Sequence, residues 1–219
     1  MIEYPSIMNS SKAPRKMMYA FGKMDWSNFR AKWTPKRSFC LYGTRTQLID
    51  ATHPDFGVGV DAFAKVAPIF DEMFRKNKEF RNLKEIIVFS ELFGPKSFAG
   101  LHFDEKSAMK VVPFDIMMIK QNDRRFVRPQ DFVDLAHEYH FPRSEVLYRG
   151  NLNDEFIEGI RREIPYGDLG EGVVCKGTDY VGNAAGHVWM CKVKTLRYLE
   201  KIKQVHGDKW KDYLDRRSS

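Results

Sequence analysis

Apolar residues in this chain follow two rhythms. Short apolar or alternating runs at residues 18–24, 28–33, 38–43, 85–92, 110–119, 172–177 and 186–193 predict strands. The runs at 28–33 and 38–43 flank Thr34-Pro35-Lys36-Arg37, which predicts a hairpin with proline in its turn. Gly43-Thr44-Arg45-Thr46 follows as a polar edge, and a Gly/Asn loop joins the last two strands. Pro113, inside the 110–119 run, predicts an edge or a bulge there. The second rhythm is helical. Phe63, Ala67, Phe70 and Phe74 recur every three to four residues, with Asp61, Lys65, Asp71, Glu72 and Arg75 mostly on other faces. This predicts one amphipathic helix over 60–79. Residues 130–139 and 152–162 also read as helices, and Gly167 to Gly172 as a turn. Residues 196–217 read as a last helical segment that Gly207 can break in two. Its apolar face is marked by Leu196, Leu199, Ile202 or Val205, Trp210 and Leu214. The sum is an α+β fold, antiparallel sheets flanked by helices.

With 219 residues and 43% hydrophobic content, the chain is large enough for one substantial core, or a core with a small appendage. No repeat of 20–50 residues, low-complexity segment or linker is visible. No run approaches the ~20 apolar residues of a membrane span, and Met1 to Tyr19 carries no leader-like apolar stretch. The formal charge of +7 favours polyanionic partners without proving them. Cys40, Cys175 and Cys191 have neither a C-x-x-C pair nor zinc spacing. They read as buried small hydrophobes of a reducing, cytoplasmic protein. His53, His102, His137, His140, His187 and His206 form no recognisable ligand cluster.

Candidate chemistry lies in the order of five short stretches. Lys23-Met24-Asp25 ends the first strand, and Glu91 sits late on an apolar strand. Phe114-Asp115 lies within another strand. Glu171 opens the acidic turn Glu-Gly-Val-Val, and Lys192 and Lys194 alternate on the last strand. Each stretch alone has an ordinary structural explanation: a solvated lysine, a structural ion pair, a core aromatic, an exposed strand edge. Together they fit phosphoryl-type transfer, which needs positioning and charge above all. A lysine attacks only when its amine is unprotonated, and neighbouring cations with partial desolvation favour that state. Residues two apart on a strand face one way, so Lys192 and Lys194 can converge on a phosphate. Glu91 and Glu171 suit a ribose hydroxyl, a divalent metal or the attacking amine. Phe114 offers a face for a base.

The set resembles the covalent nucleotidyltransferase superfamily of ATP-dependent ligases and capping enzymes. Within it, the chain looks most like the nick-sealing RNA ligases of phages and kinetoplastid editing complexes. The nucleophile motif Lys-x-Asp/His-Gly corresponds to Lys23-Met24-Asp25-Trp26, followed by Asn28 at the position where these RNA ligases carry Asn. Leu-Tyr-Gly-Thr-Arg45-Thr resembles the motif whose Arg contacts phosphates, Phe-Ser-Glu91-Leu-Phe-Gly the ribose-binding strand, and Pro-Phe114-Asp115-Ile the adenine-stacking strand. Glu171-Gly-Val-Val-Cys-Lys176 and Cys-Lys192-Val-Lys194-Thr195 resemble the last two motifs.

The resemblance implies a nucleotidyltransferase (ATP-grasp-like ligase) domain over 1–195, with the basic helical segment 196–219 packed on it. It implies ATP and Mg²⁺ as cofactors and nucleic acid as partner, RNA in preference to DNA. The expected catalytic residues are Lys23, Glu171, Lys192 and Lys194. Nucleotide contacts are expected from Asp25, Asn28, Arg45, Glu91, Phe114, Lys192 and Lys194, and metal contact from Glu171. Only 24 residues follow Thr195. No C-terminal OB-fold is therefore expected, and a partner domain or protein would take its place. Trp26 stands where the family has Gly, and Gly22 where related RNA ligases carry Glu. Two alternatives stay open: a minimal DNA nick ligase, and a non-catalytic nucleotide- or nucleic-acid-binding relic.

Overall fold

Strands gather into two sheets and helices cover them, so the chain is α+β. The structure is a computed structural model that describes residues 1–23, 27–94, 109–121, 123–181 and 186–216. In chain order the strands are β1 (Met8–Asn9), β2 (Met17–Lys23), β3 (Ser27–Thr34), β4 (Ser38–Gly43), β5 (Leu48–Ile49), β6 (Glu85–Phe93), β7 (Lys110–Lys120), β8 (Asp123–Phe126), β9 (Val146–Asn151), β10 (Gly172–Tyr180) and β11 (Val188–Lys194). The α-helices are α1 (Gly57–Ala64), α2 (Ala67–Lys76), α3 (Pro129–Tyr139), α4 (Asp154–Arg162), α5 (Leu196–His206) and α6 (Trp210–Arg216). They form two units: Met1–Tyr4, Trp26–Arg143 and Val181–His187 make one, and Pro5–Asp25, Ser144–Tyr180 and Val188–Ser219 the other.

The first unit is built on a six-stranded sheet in the order β5-β4-β3-β6-β7-β8, antiparallel throughout its described pairs. Alternation sends Phe29, Ala31 and Trp33 of β3 to the helix-covered face, where they meet Phe63, Phe70, Met73, Phe74 and Phe132. Burying each such aromatic contributes about 1.5–3 kcal/mol. The predicted helix 60–79 is two helices, a correction that Pro68 explains. Its ring has no N–H to donate and clashes with the carbonyl four residues back. That residue is Ala64, where α1 ends, and Pro68 instead sits in the first turn of α2. On the other face, Ile87, Phe89, Met117, Ile119 and Phe126 form a smaller cluster, against which Met1, Ile2, Tyr4 and Phe114 pack.

The second unit is a five-stranded sheet in the order β1-β11-β10-β2-β9. Its pairs are antiparallel except β1 with β11, which is parallel. Helix α4 covers one face. Asn153 caps it by accepting from Phe156 N at 2.7 Å, with Asp154 and Glu155 in the first turn and Arg161 and Arg162 in the last, complementing the helix dipole. Phe156, Ile157 and Ile160 bury against Met18, Ala20, Val173, Cys175, Cys191 and Val193. Strands β1 and β9 here, like β5 and β8 in the first unit, were not anticipated from the sequence. The terminal segment does break at Gly207, whose φ is +51°. Its inward face keeps Ile202 of the predicted one and otherwise differs: Tyr198 is buried, while Leu196 and Val205 are more than half exposed. The thiols also divide, with Cys175 and Cys191 buried and Cys40 exposed, against the expectation for Cys40.

Candidate active site

The five-stranded sheet carries its chemistry on the face opposite that core. Directly opposed antiparallel residues share a face. Gly172 of β10 stands opposite Lys23 of β2 and Lys194 of β11. The next row on that face is Phe21, Val174 and Lys192, and the one after it Tyr19, Lys176 and Met190. Four lysines thus share one face, and they are not an exposed strand edge: Lys176 is 4% and Lys192 8% exposed. Aromatic rings supply part of their setting. Lys176 Nζ lies 5.1 Å from the Phe21 ring centre and Lys194 Nζ 5.0 Å from that of Tyr198.

Glu171 organises the end of this face. It occupies the turn before β10, and Thr195 fixes that turn to the end of β11. Thr195 N donates to Glu171 O at 3.1 Å and Thr195 Oγ1 to Gly170 O at 3.1 Å, while the same hydroxyl caps α5 by accepting from Tyr198 N. The Glu171 side chain is 4% exposed. Lys23 Nζ donates to its Oε2 at 2.6 Å, and Lys194 Nζ pairs with its Oε1 at 3.0 Å. Burial pushes this carboxyl upward, but the charges of Lys23 and Lys194 outweigh it and hold the group below its ordinary value. Glycine is required next to it. Gly172 has φ +137°, and a Cβ there would overlap Val193 O.

The six-stranded unit holds the other predicted residues. Asn28 lies opposite Glu91 across β3 and β6. The Asn28 Oδ1 is buried and accepts no hydrogen bond among the described residues. The proline-induced irregularity in β7 is a bulge. Phe89 opposes Asp115 and Ser90 opposes Pro113, leaving Phe114 as the extra residue. The half-buried Phe114 ring packs on the Phe89 and Phe126 cluster, while the adjacent Asp115, 3% exposed, accepts from Tyr4 Oη at 2.7 Å. Arg45 is half-buried in the turn that Thr44 N closes onto Gln47 O at 3.0 Å. Asp25 lies outside the described residues, with Met24, Trp26 and His102.

Lys23, Glu171 and Lys194 are therefore brought into direct contact, with Lys192 and Lys176 on the same sheet face. Asn28, Glu91, Phe114 and Arg45 belong to the other unit. Sequence reasoning assigned no role to Lys176, Tyr198, Asp115 or Tyr4. Lys176 was findable from its two-residue spacing along β10; Tyr4 stands in no pattern. Among the described residues, no three His, Cys, Asp or Glu side chains converge on a possible metal position. With both Glu171 oxygens taken by lysines, the fit is to an ion brought in mainly by phosphates, the usual habit of Mg²⁺, and not to a protein cage. Among the same residues, no helix is long and apolar enough to cross a membrane.

Comparison with known proteins bears on the fold and the family. Solved structures of Naegleria gruberi RNA ligase superpose on the chain. The form with PPi matches at TM-score 0.67 and 15% identity, covering 93% of this chain and 58% of that one. A variant with AMP and Mn matches at TM-score 0.66 and 14% identity, covering 92% and 58%. At that identity the likeness is one of fold, and the chain spans under two thirds of those proteins' length. No curated protein matches the sequence. The RNA ligase family model matches residues 18–194, from β2 to the last residue of β11. The chain belongs to the RNA ligase family.

Proposed function

We propose that this chain joins RNA ends with ATP, through an AMP carried on Lys23. The observation that carries the reading is the buried Glu171 carboxylate held between Lys23 and Lys194 at 2.6 and 3.0 Å. Such an arrangement fixes a lysine amine at a strand end and places a second cation beside it, which is what in-line transfer of a phosphoryl group requires. Glu171, kept ionised by its neighbours, anchors Nζ of Lys23 and prevents its swinging into solvent.

In the proposed first step, the Lys23 ammonium gives up one proton to solvent, its Nζ forms a bond to the α-phosphorus of ATP, and the second proton lost from nitrogen as that bond forms passes to solvent as well. The bond from that phosphorus to its bridging oxygen breaks, and pyrophosphate leaves. A 5′-phosphate oxygen next attacks the same phosphorus, the N–P bond breaks, and Lys23 is restored. A 3′-hydroxyl then attacks the 5′-phosphate and expels AMP. Lys192 and Lys194 stabilise charge on the α-phosphate, a role worth about 10²–10³ in rate per donor. Mg²⁺ arriving with the nucleotide would neutralise phosphate charge, and Glu171, its candidate protein ligand, would reach it by giving up one of its two lysine pairs. In the six-stranded unit we assign base stacking to Phe114, the ribose to Glu91, and phosphate contact to Arg45. Asn28, whose buried Oδ1 accepts no hydrogen bond among the described residues, is assigned a nucleotide or end contact.

Sealing assays on nicked duplexes test the reading. With ATP, duplexes bearing RNA on the 3′-hydroxyl side are expected to be closed faster than all-DNA ones. Equal sealing of both would shift the assignment to a DNA nick ligase, and no sealing of either, even from a pre-adenylylated end, would contradict it.

A further inference from the structure

Tyr4 precedes the residues matched by the family model and belongs to no motif. The chain nevertheless binds its first four residues firmly to the six-stranded unit. Arg30, 2% exposed on β3, donates from Nη1 to Ile2 O at 2.7 Å and to Met1 O at 3.2 Å. Met1, Ile2 and Tyr4 pack on the Phe89 and Phe126 cluster. The Tyr4 ring meets Phe114 edge-on, with centroids 5.0 Å apart and planes at 84°, and meets Phe89 and Phe126 in the same manner at 5.0 and 5.6 Å. Its hydroxyl reaches the buried Asp115 carboxylate, the residue next to Phe114.

Phe114 needs such support. It is the extra residue of a bulge, so ladder pairing does not fix its backbone as it fixes the neighbours on either side. A ring that stacks a base loses affinity whenever it samples other orientations, and a perpendicular neighbour that restricts it reduces that loss. The hydrogen bond to the Asp115 side chain ties Tyr4 to the residue next to the bulge. Burial, and then the charges of Asp115 and Glu91, push the Tyr4 hydroxyl far above its ordinary value, so it remains a protonated donor.

We infer that Tyr4 is a positioning residue that sets the orientation of Phe114 and thereby the affinity for the nucleobase. The inference rests on the reading of Phe114 as the base-stacking residue. Its test is the concentration dependence of self-labelling by ATP in the full chain, comparing wild type with Tyr4→Phe, Tyr4→Ala, Phe114→Leu and the Tyr4→Ala/Phe114→Leu double variant. Tyr4→Ala should raise KM for ATP about tenfold with little change in the maximal labelling rate, and Tyr4→Phe should recover most of that affinity through its ring. In the double variant, KM should match that of Phe114→Leu, because there is no platform left to orient. Multiplied KM effects in the double variant would make Tyr4 independent of Phe114 and overturn the inference. So would a Tyr4→Ala change confined to the labelling rate or to thermal stability. A wild-type KM in Phe114→Leu would refute the reading of Phe114 itself, a different outcome from either.

Discussion

Lys23 and Lys194 flank Gly172 from the two sides of β10, and each sends its ammonium to a different oxygen of Glu171. A row of three residues on three strands therefore ends in a salt-bridged carboxylate. Two lysines pointing the same way would repel at this spacing; the carboxylate between them makes the pair tolerable in a partly dry setting.

That row depends on Gly172 having no side chain. Gly172→Ala adds a Cβ against Val193 O in a backbone region L-residues rarely adopt. Thermal unfolding should show a loss of about 2–4 kcal/mol, and the pairing of Lys23 with Lys194 through Glu171 should be lost with it. A wild-type melting temperature would show that β10 and β11 are not this close.

Glu171 gives the fold an acid limit. Its folded value is depressed, so its stabilising share is present above the unfolded carboxylate value, about 4.3, and is lost as pH falls through the folded one. Glu171→Gln leaves two neighbouring ammonium groups uncompensated and should cost about 3 kcal/mol at pH 7. The deficit should shrink steadily in urea titrations repeated below pH 4. A deficit that stays constant across that range would contradict the pairing.

Asp71 supplies a second acid-sensitive contact, in the other unit. It accepts from Arg75 Nε at 2.8 Å and from Trp33 Nε1 at 2.7 Å, and these bonds, that from Arg75 foremost, lower its pKa to about 2. Its contribution is complete above about pH 4 and disappears as pH falls through 2. After screening, it amounts to on the order of 1 kcal/mol. Asp71→Asn should be less stable than wild type at pH 6 and should converge on it as pH falls below 2. Curves that stay parallel between those values would refute the assignment.

Much of this architecture was legible in the residues. Apolar or alternating runs gave β3, β4, β6, β7, β10 and β11, and of the edge or bulge that Pro113 suggested, the structure has the bulge, at Phe114. What escaped lacked a local signal. Strand β1 is two residues long, and β9 carries Arg149 and Gly150; both are strands because β11 and β2 offer them partners. The break between α1 and α2 was written in Pro68 but outweighed by the regular phenylalanines. The inward face of α5 is set by the Thr195 cap directly after β11, which fixes the helix phase so that Tyr198 and Ile202 point inward.

The candidate site was legible as an order of residues, not as contacts. Alternation put Lys192 and Lys194 on one face, and β2 ends at Lys23 as expected. Glu171 had three possible partners by sequence, a ribose hydroxyl, a divalent metal or the attacking amine, and only the pairing of three strands shows it against two amines. Tyr4 could not be found from the sequence, because its contacts, Phe89, Phe114, Asp115 and Phe126, all lie far along the chain.

The central claim is that Lys23 carries AMP. Incubation with Mg²⁺ and α-labelled ATP, followed by a denaturing gel, tests it directly. Wild-type protein should retain label on its own band, and Lys23→Ala, melting as wild type does, should retain none. Label that persists in Lys23→Ala would contradict the assignment of the nucleophile, and wild-type protein that takes no label would contradict the covalent route itself.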